Sequence, residues 1–214
     1  MQHLRLILTL GLLLGGASGG AASESRQAVL HSPPSAGAAS RLSATAGTSP
    51  PIGYVRFCSD NGADCAAQGD MVFQVTLDAQ HEAELREVND RLNTAIEPVT
   101  DLEHFGETER WSYPADGKGD CEDYVLAKRR ALVRLGWPAS VLLITVVRDK
   151  DGDGHAVLTV VTDRGDLVLD NQAAPILPWH ETGYRFVKRQ SQGDPALWVS
   201  LGETRSPPVV GGGR

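Results

Sequence analysis

The sequence predicts an α+β fold, a central helix packed on an antiparallel sheet, and three observations carry that prediction. Tyr124, Ala127, Ala131 and Leu135 recur at helical spacing until Gly136 and Pro138 stop them. From Ala139 to Leu201 the pattern changes to short runs rich in Val, Leu and Ile. Tight turns, at residues 149–154 and 162–165, separate the first three of those runs, and connections this short make consecutive strands antiparallel neighbours.

Residues 1–22 read as a secretory signal peptide. His3 and Arg5 precede an apolar run from Leu6 to Leu14, and small residues follow as far as Ala22. The run is too short for a membrane span and no later run approaches that length, so no stable span is expected in the mature chain. Residues 23–51 are mostly Ala, Ser, Gly and Pro, with hardly a large apolar side chain, a composition that predicts a disordered linker. One domain is expected over residues 52–203 and a disordered tail over 204–214. The chain of 214 residues carries a formal net charge of −7, with a pI near 5.3. Without a long basic run it is a poor partner for nucleic acid.

Within the domain, Cys58 and Cys65 flank a turn-rich stretch, and in an exported chain that pair is expected to form a disulfide. Cys121 is then the odd thiol left over. Val72 to Leu77 is a strand or a lead-in. Leu85, Val88, Leu92 and Ile96 give a helix over about Asp78–Glu97, ended by Pro98. His81 and His104 have no partners at useful spacing and are read as solvated. Trp111 and Tyr113 lie on an irregular approach to Cys121, where core is the commoner role for an aromatic. Lys128, Arg129, Arg130 and Arg134 suit the C-terminal half of the next helix and are read as a solvated face. Asp149, Asp151, Asp153 and Gly154 imitate the start of an EF-hand loop. Val160 stands where the bidentate Glu belongs and strands flank the loop, so the EF-hand is rejected.

The chemistry gathers around Gly119-Asp120-Cys121-Glu122-Asp123-Tyr124. A thiol at a helix start feels the positive end of the dipole, which lowers its pKa. An ordinary buried Cys, with acids suited to a helix start, fits the same six residues. Two further residues shift the balance. A hairpin closing on Asp163-Arg164 would set His155 opposite Gln172 and Val157 opposite Asp170, leaving His155 and Asp170 diagonal on one face. Cys121, His155 and Asp170 then form a nucleophile, a proton carrier and an orienter, with the Cys121 N–H as the natural oxyanion donor. Asp120, Glu122 and Asp123 would oppose thiolate formation. A hard cation would neutralise them, and all-oxygen ligands suit Ca2+ better than Zn2+.

These motifs, with Lys128-Arg-Arg, Leu135-Gly-Trp-Pro138, Gly154-His-Ala-Val157 and Leu169-Asp-Asn-Gln172, resemble the bacterial transglutaminase-like cysteine proteinases. The resemblance spans roughly Tyr54 to Leu201. It implies a papain-like core with Cys121 as nucleophile, His155 as base, Asp170 as orienter, and calcium-linked acids at Asp120 and Glu122. It also implies a periplasmic protease that clips a large surface adhesin at an Ala-Ala-containing site, in biofilm control, and an inner-membrane receptor for cyclic di-GMP that sequesters it. Two rivals remain at this level: acyl transfer from protein glutamine to an amine, and an inactive periplasmic binding module of the same fold.

Overall fold

The computed structural model describes residues 40–202 and Val210, all within the compact unit Ser35–Arg214. The expected signal peptide and residues 23–39 of the expected linker lie outside the described residues.

The chain enters through β1 (Ala46–Thr48), then α1 (Ile52–Asp60) and α2 (Gly62–Cys65). Cys58 and Cys65 are joined by a disulfide. The stretch between them is thus the junction of two helices where a turn-rich loop was expected. Tyr54 and Phe57 provide the reason, because one face of α1 buries both against Trp111, Tyr113 and Trp198.

Next, α3 (Ala79–Ala95) starts at Asp78, whose carboxylate accepts the His81 N–H, and it buries Leu85 and Val88. A short parallel pair, β2 (Glu97–Pro98) with β3 (Lys118–Gly119), brackets α4 (Asp101–Phe105). Helix α5 (Cys121–Arg134) follows at once. It ends in a Schellman motif: the Trp137 N–H bonds to Leu132 O and the Gly136 N–H to Val133 O. Gly136 makes this possible with a φ of 96°.

The sheet comprises β1 with β4 (Leu142–Arg148), β5 (Gly154–Thr162), β6 (Gly165–Leu169), β7 (Leu177–Pro178), β8 (Arg185–Gln190) and β9 (Trp198–Ser200). Its order is β1-β9-β8-β4-β5-β6-β7, and every pairing is antiparallel. Thr162 pairs with Gly165 and Leu158 with Leu169, the register of a two-residue turn at Asp163-Arg164. Among the described residues Val72 to Leu77 contributes only one bridge, Val75 to Thr162.

Strands β4 and β5 are buried on both faces. One face supports α5 and the main core, including Ile144, Ala156, Leu158 and Leu169. The other carries Val147, Val157, Val168 and Phe186, and Leu42 covers it. Residues 40–51, expected as linker, therefore belong to the fold. The Leu42 N–H donates to Asp166 Oδ2 at 3.0 Å, Arg189 ties Asp166 to the Leu42 carbonyl, and β1 pairs with β9. Backbone groups, one leucine and polar side chains such as Ser40 and Arg41 hold this segment, contacts that leave no hydrophobic pattern. Val210, expected in a disordered tail, is buried, and its N–H donates to Glu109 Oε2 at 2.8 Å.

Candidate active site

The parallel β2–β3 pair delivers the chain to the start of α5. Gly119 must be glycine there, because a Cβ would stand 2.6 Å from the Asp123 carboxylate. Asp120 occupies the N-cap position with extended backbone, and its carbonyl accepts from the Asp123 and Tyr124 N–H groups. The Cys121 N–H precedes that first intrahelical bond, so it has no acceptor within the helix.

Cys121 is a free, buried thiol held against β5, where Sγ accepts the Ala156 N–H at 3.2 Å. The thiol donates to Glu122 Oε2 at 3.2 Å. Burial, then the carboxylates of Glu122 and Asp120, push the thiol well above its ordinary range. The helix dipole leads one to expect the opposite. Desolvation and two adjacent acids outweigh it.

On β5 the residue beside Ala156 is His155, itself buried. Its Nε2 lies 2.8 Å from Asp170 Oδ1, and its Nδ1 lies 3.4 Å from Gln172 Nε2. Asp170 follows β6 directly. The Gln172 N–H donates to its Oδ1 at 3.0 Å, and the Tyr184 hydroxyl to its Oδ2 at 2.6 Å. Burial acts to raise the Asp170 carboxyl, but the bonds from His155, Tyr184 and Gln172 outweigh it and hold the carboxyl below its usual range. An ionised carboxylate only accepts, so the proton of neutral His155 sits on Nε2 and the lone pair on Nδ1. The Tyr184 ring stands edge-on to the imidazole with centroids 5.7 Å apart. Cys121, Asp120, His155 and Gln172 line one open cleft, which also has Val99 and Leu102 in its wall.

The acidic half of the site differs from expectation in its membership. Oxygens of Asp101, Asp120 and Glu122 lie within 4.8 Å of one another, and Asp123 stands outside this trio. Asp123 Oδ1 instead accepts the Ser112 N–H at 2.7 Å. Asp101 starts α4 behind a Thr100–Glu103 capping box, and that Thr-x-x-Glu spacing was the one sequence signal for it. Asp120 Oδ1, Glu122 Oε1 and Asp123 Oδ2 are buried without a hydrogen-bond partner among the described residues. Burial raises all four acids. Bonds to neighbouring backbone N–H groups lower Asp101 and Asp123, and repulsion from Asp120 adds to the rise of Glu122. Asp120 is pushed up to about 7 and Asp123 to about 8.

Two further expectations need correction, while a third, the turn at residues 149–154, holds. Lys128 and Arg129, read as solvated, are buried, because α5 is enclosed between α3 and the sheet. His81 bonds Asp78 Oδ1 at 2.9 Å, and His104 bonds Asp116 Oδ2 at 2.8 Å, so both have partners. The Asp149 loop is a hairpin turn in which Asp149 Oδ1 accepts from the N–H groups of Asp151, Gly152 and Asp153.

A cysteine at the head of a helix, seated against a histidine-bearing strand of an antiparallel sheet, defines a transglutaminase-like cysteine peptidase. The chain belongs to the family of bacterial transglutaminase-like cysteine proteinases (BTLCP), which matches residues 44–206. No curated protein sequence matches it. Among solved structures, calcium-bound Legionella pneumophila LapG is 26 % identical, with a TM-score of 0.49 over 58 % of this chain and 72 % of that one. EGTA-treated LapG is also 26 % identical, with a TM-score of 0.47 over 57 % and 68 %.

Proposed function

We propose that this cysteine peptidase is an exported endopeptidase working through Cys121, His155 and Asp170. The observation that carries this reading is the 2.8 Å contact of His155 Nε2 with Asp170, which leaves Nδ1 to act as the base, in a cleft that Cys121 also lines. In the first half-reaction Nδ1 takes the thiol proton as Sγ attacks the scissile carbonyl carbon. The resulting oxyanion is met by the Cys121 N–H, and the imidazolium returns its proton to the leaving amine, so a thioester remains. In the second half-reaction Nδ1 takes a proton from water, hydroxide attacks the thioester, and the thiolate leaves and is reprotonated. Asp170 stays ionised throughout and holds the ring in place.

Asp101, Asp120 and Glu122 form an all-oxygen set with orphaned buried atoms, which fits a hard divalent cation, with Asp123 beside it. Bound Ca2+ would neutralise the acids that oppose thiolate formation. The signal-peptide pattern supports a periplasmic location, and among the described residues no helix is long and apolar enough to cross a membrane. Family resemblance supports a large surface adhesin as substrate and an inner-membrane cyclic di-GMP receptor as partner.

The test is mass-mapped alkylation of the native, non-reduced mature protein with iodoacetamide across pH, with and without Ca2+. The expected result is fast labelling confined to Cys121 and accelerated by Ca2+. Inertness of Cys121 in every condition would replace the peptidase with the binding-module reading, and incorporation of an added amine into protein glutamine would replace water as the acyl acceptor.

A further inference from the structure

We infer that the groove between α3 and the segment after β6 is a second contact for the substrate, taking an apolar side chain of the polypeptide that follows the scissile bond. The inference rests on the cysteine-peptidase reading above. The groove measures about 500 Å3 and is open to solvent among the described residues. Its floor is apolar, made by Leu85 on α3, Leu167 on β6, and Ile176. Its rim carries Glu82, Arg86, Asp90 and Arg164. Glu82 is bonded to Arg86 at 3.0 Å and to Arg164 at 2.5 Å, and two acids against two bases leave the rim with no excess of either sign. Such a lining selects an uncharged, extended chain that can lower an apolar side chain onto the floor.

Its place relative to the reacting atoms identifies the occupant. Asn171 and Gln172 line the catalytic cleft, and Ala174, Pro175 and Ile176 line the groove. One short segment thus divides the two, and from Gln172 to Ala174 the chain can span no more than about 7 Å. Gln172 also tells which half of the substrate comes this way. Its Nε2 lies 3.4 Å from His155 Nδ1, the atom that hands its proton to the leaving amine. A group beside Nδ1 is beside the chain that begins with that amine. An extended chain advances about 3.3 Å per residue, so the floor is reached by about the third or fourth residue after the cut. The dividing segment is tied down on both sides. From α3, Asn93 Nδ2 donates to Asp170 O at 2.8 Å and Asn89 Nδ2 to Ala174 O at 3.2 Å, and the Gln172 N–H closes on Asp170 Oδ1 at 3.0 Å.

The experiment exposes a library of peptides from a digested proteome to the full mature chain in Ca2+ and reads the cleavage sites by mass spectrometry. Wild type should show apolar residues enriched about fivefold at the third or fourth position after the cut. Ala174 is exposed and lies outside the catalytic residues, so A174R and A174E can fill the groove without touching them. Both should abolish the enrichment and leave the acyl-side preferences and the melting temperature unchanged. Absence of the enrichment in wild type, its survival in either variant, or opposite effects of the two charges would overturn the groove as an apolar contact. Self-association of wild type that both variants abolish would give the groove to a second copy of the chain and overturn the inference equally. A library left as intact by wild type as by C121A would instead sink the peptidase reading, and this inference with it.

Discussion

Asp123 and Asp170 are the same side chain at nearly the same depth, 0 % and 3 % exposed, yet they titrate in opposite directions. Asp170 is met by His155, Tyr184 and the Gln172 N–H across its two oxygens. Asp123 has the Ser112 N–H on one oxygen, no donor among the described residues on the other, and Asp120 and Asp101 for neighbours. Burial sets the size of the stakes and the partners set the sign. The site thus has one half whose polar groups are satisfied by protein alone and another half whose groups are not. The satisfied half suits a base that must keep one tautomer. The unsatisfied half suits an added cation.

The comparison breaks most visibly if Asp170 is neutralised. D170N should leave the fold intact and cut peptide-bond cleavage by about three to four orders of magnitude, since an amide can hold the wrong tautomer. A steady-state assay on a denatured protein substrate would measure it, and retention of near-normal activity would remove Asp170 from the mechanism. The acidic half gives the next largest effect. Saturating Ca2+ should raise the melting temperature by about 5–10 °C, and E122Q should abolish that rise while making the cation-free protein more stable. Scanning calorimetry of both forms checks this, and an equal calcium response in E122Q would detach Glu122 from the site.

A pH titration of stability sharpens the contrast. Asp120 and Asp123 titrate at about 7 and about 8 when folded, against an ordinary 3.8. The folded chain then holds protons that the unfolded chain has released. Stability without a cation should therefore be fullest below about pH 4 and should fall as pH rises through 7 to 8, and Ca2+ should flatten that fall. Chemical denaturation at several pH values reads the slope. The smallest effect falls to Tyr184. Y184F removes one of several donors to Asp170 and should cost about tenfold in kcat/KM or less. A loss as large as that of D170N would mean that Tyr184 does more than orient the carboxylate.

What the sequence made legible was local. The hairpin closing on Asp163-Arg164 could be counted residue by residue, so the meeting of His155 with Asp170 followed from register alone. The start of α5 at Cys121 and its stop at Gly136 followed from periodicity and stop signals. What escaped depends on distant partners. Asp101 joins Asp120 and Glu122 only because β2 and β3 bracket α4, and a two-residue parallel pair leaves no pattern. Lys128 looked solvated because its helix carries a charged run, and its burial is decided by α3. Residues 40–51 looked like linker because backbone groups, polar side chains and the single Leu42 hold them, to which composition is blind. The thiol was misjudged for a related reason. A dipole can be read from one helix, whereas desolvation needs the whole core.

The pairing of β1 with β9 also bears on how the molecule comes into being. Among the described residues the first strand pairs only with the last, so this edge of the sheet cannot close until Trp198 to Ser200 have been made. A nascent chain can form the β4–β5–β6 hairpins early, while Leu42 and β1 wait for the far end. The thiol is synthesised midway, and the sheet that seats it is finished last.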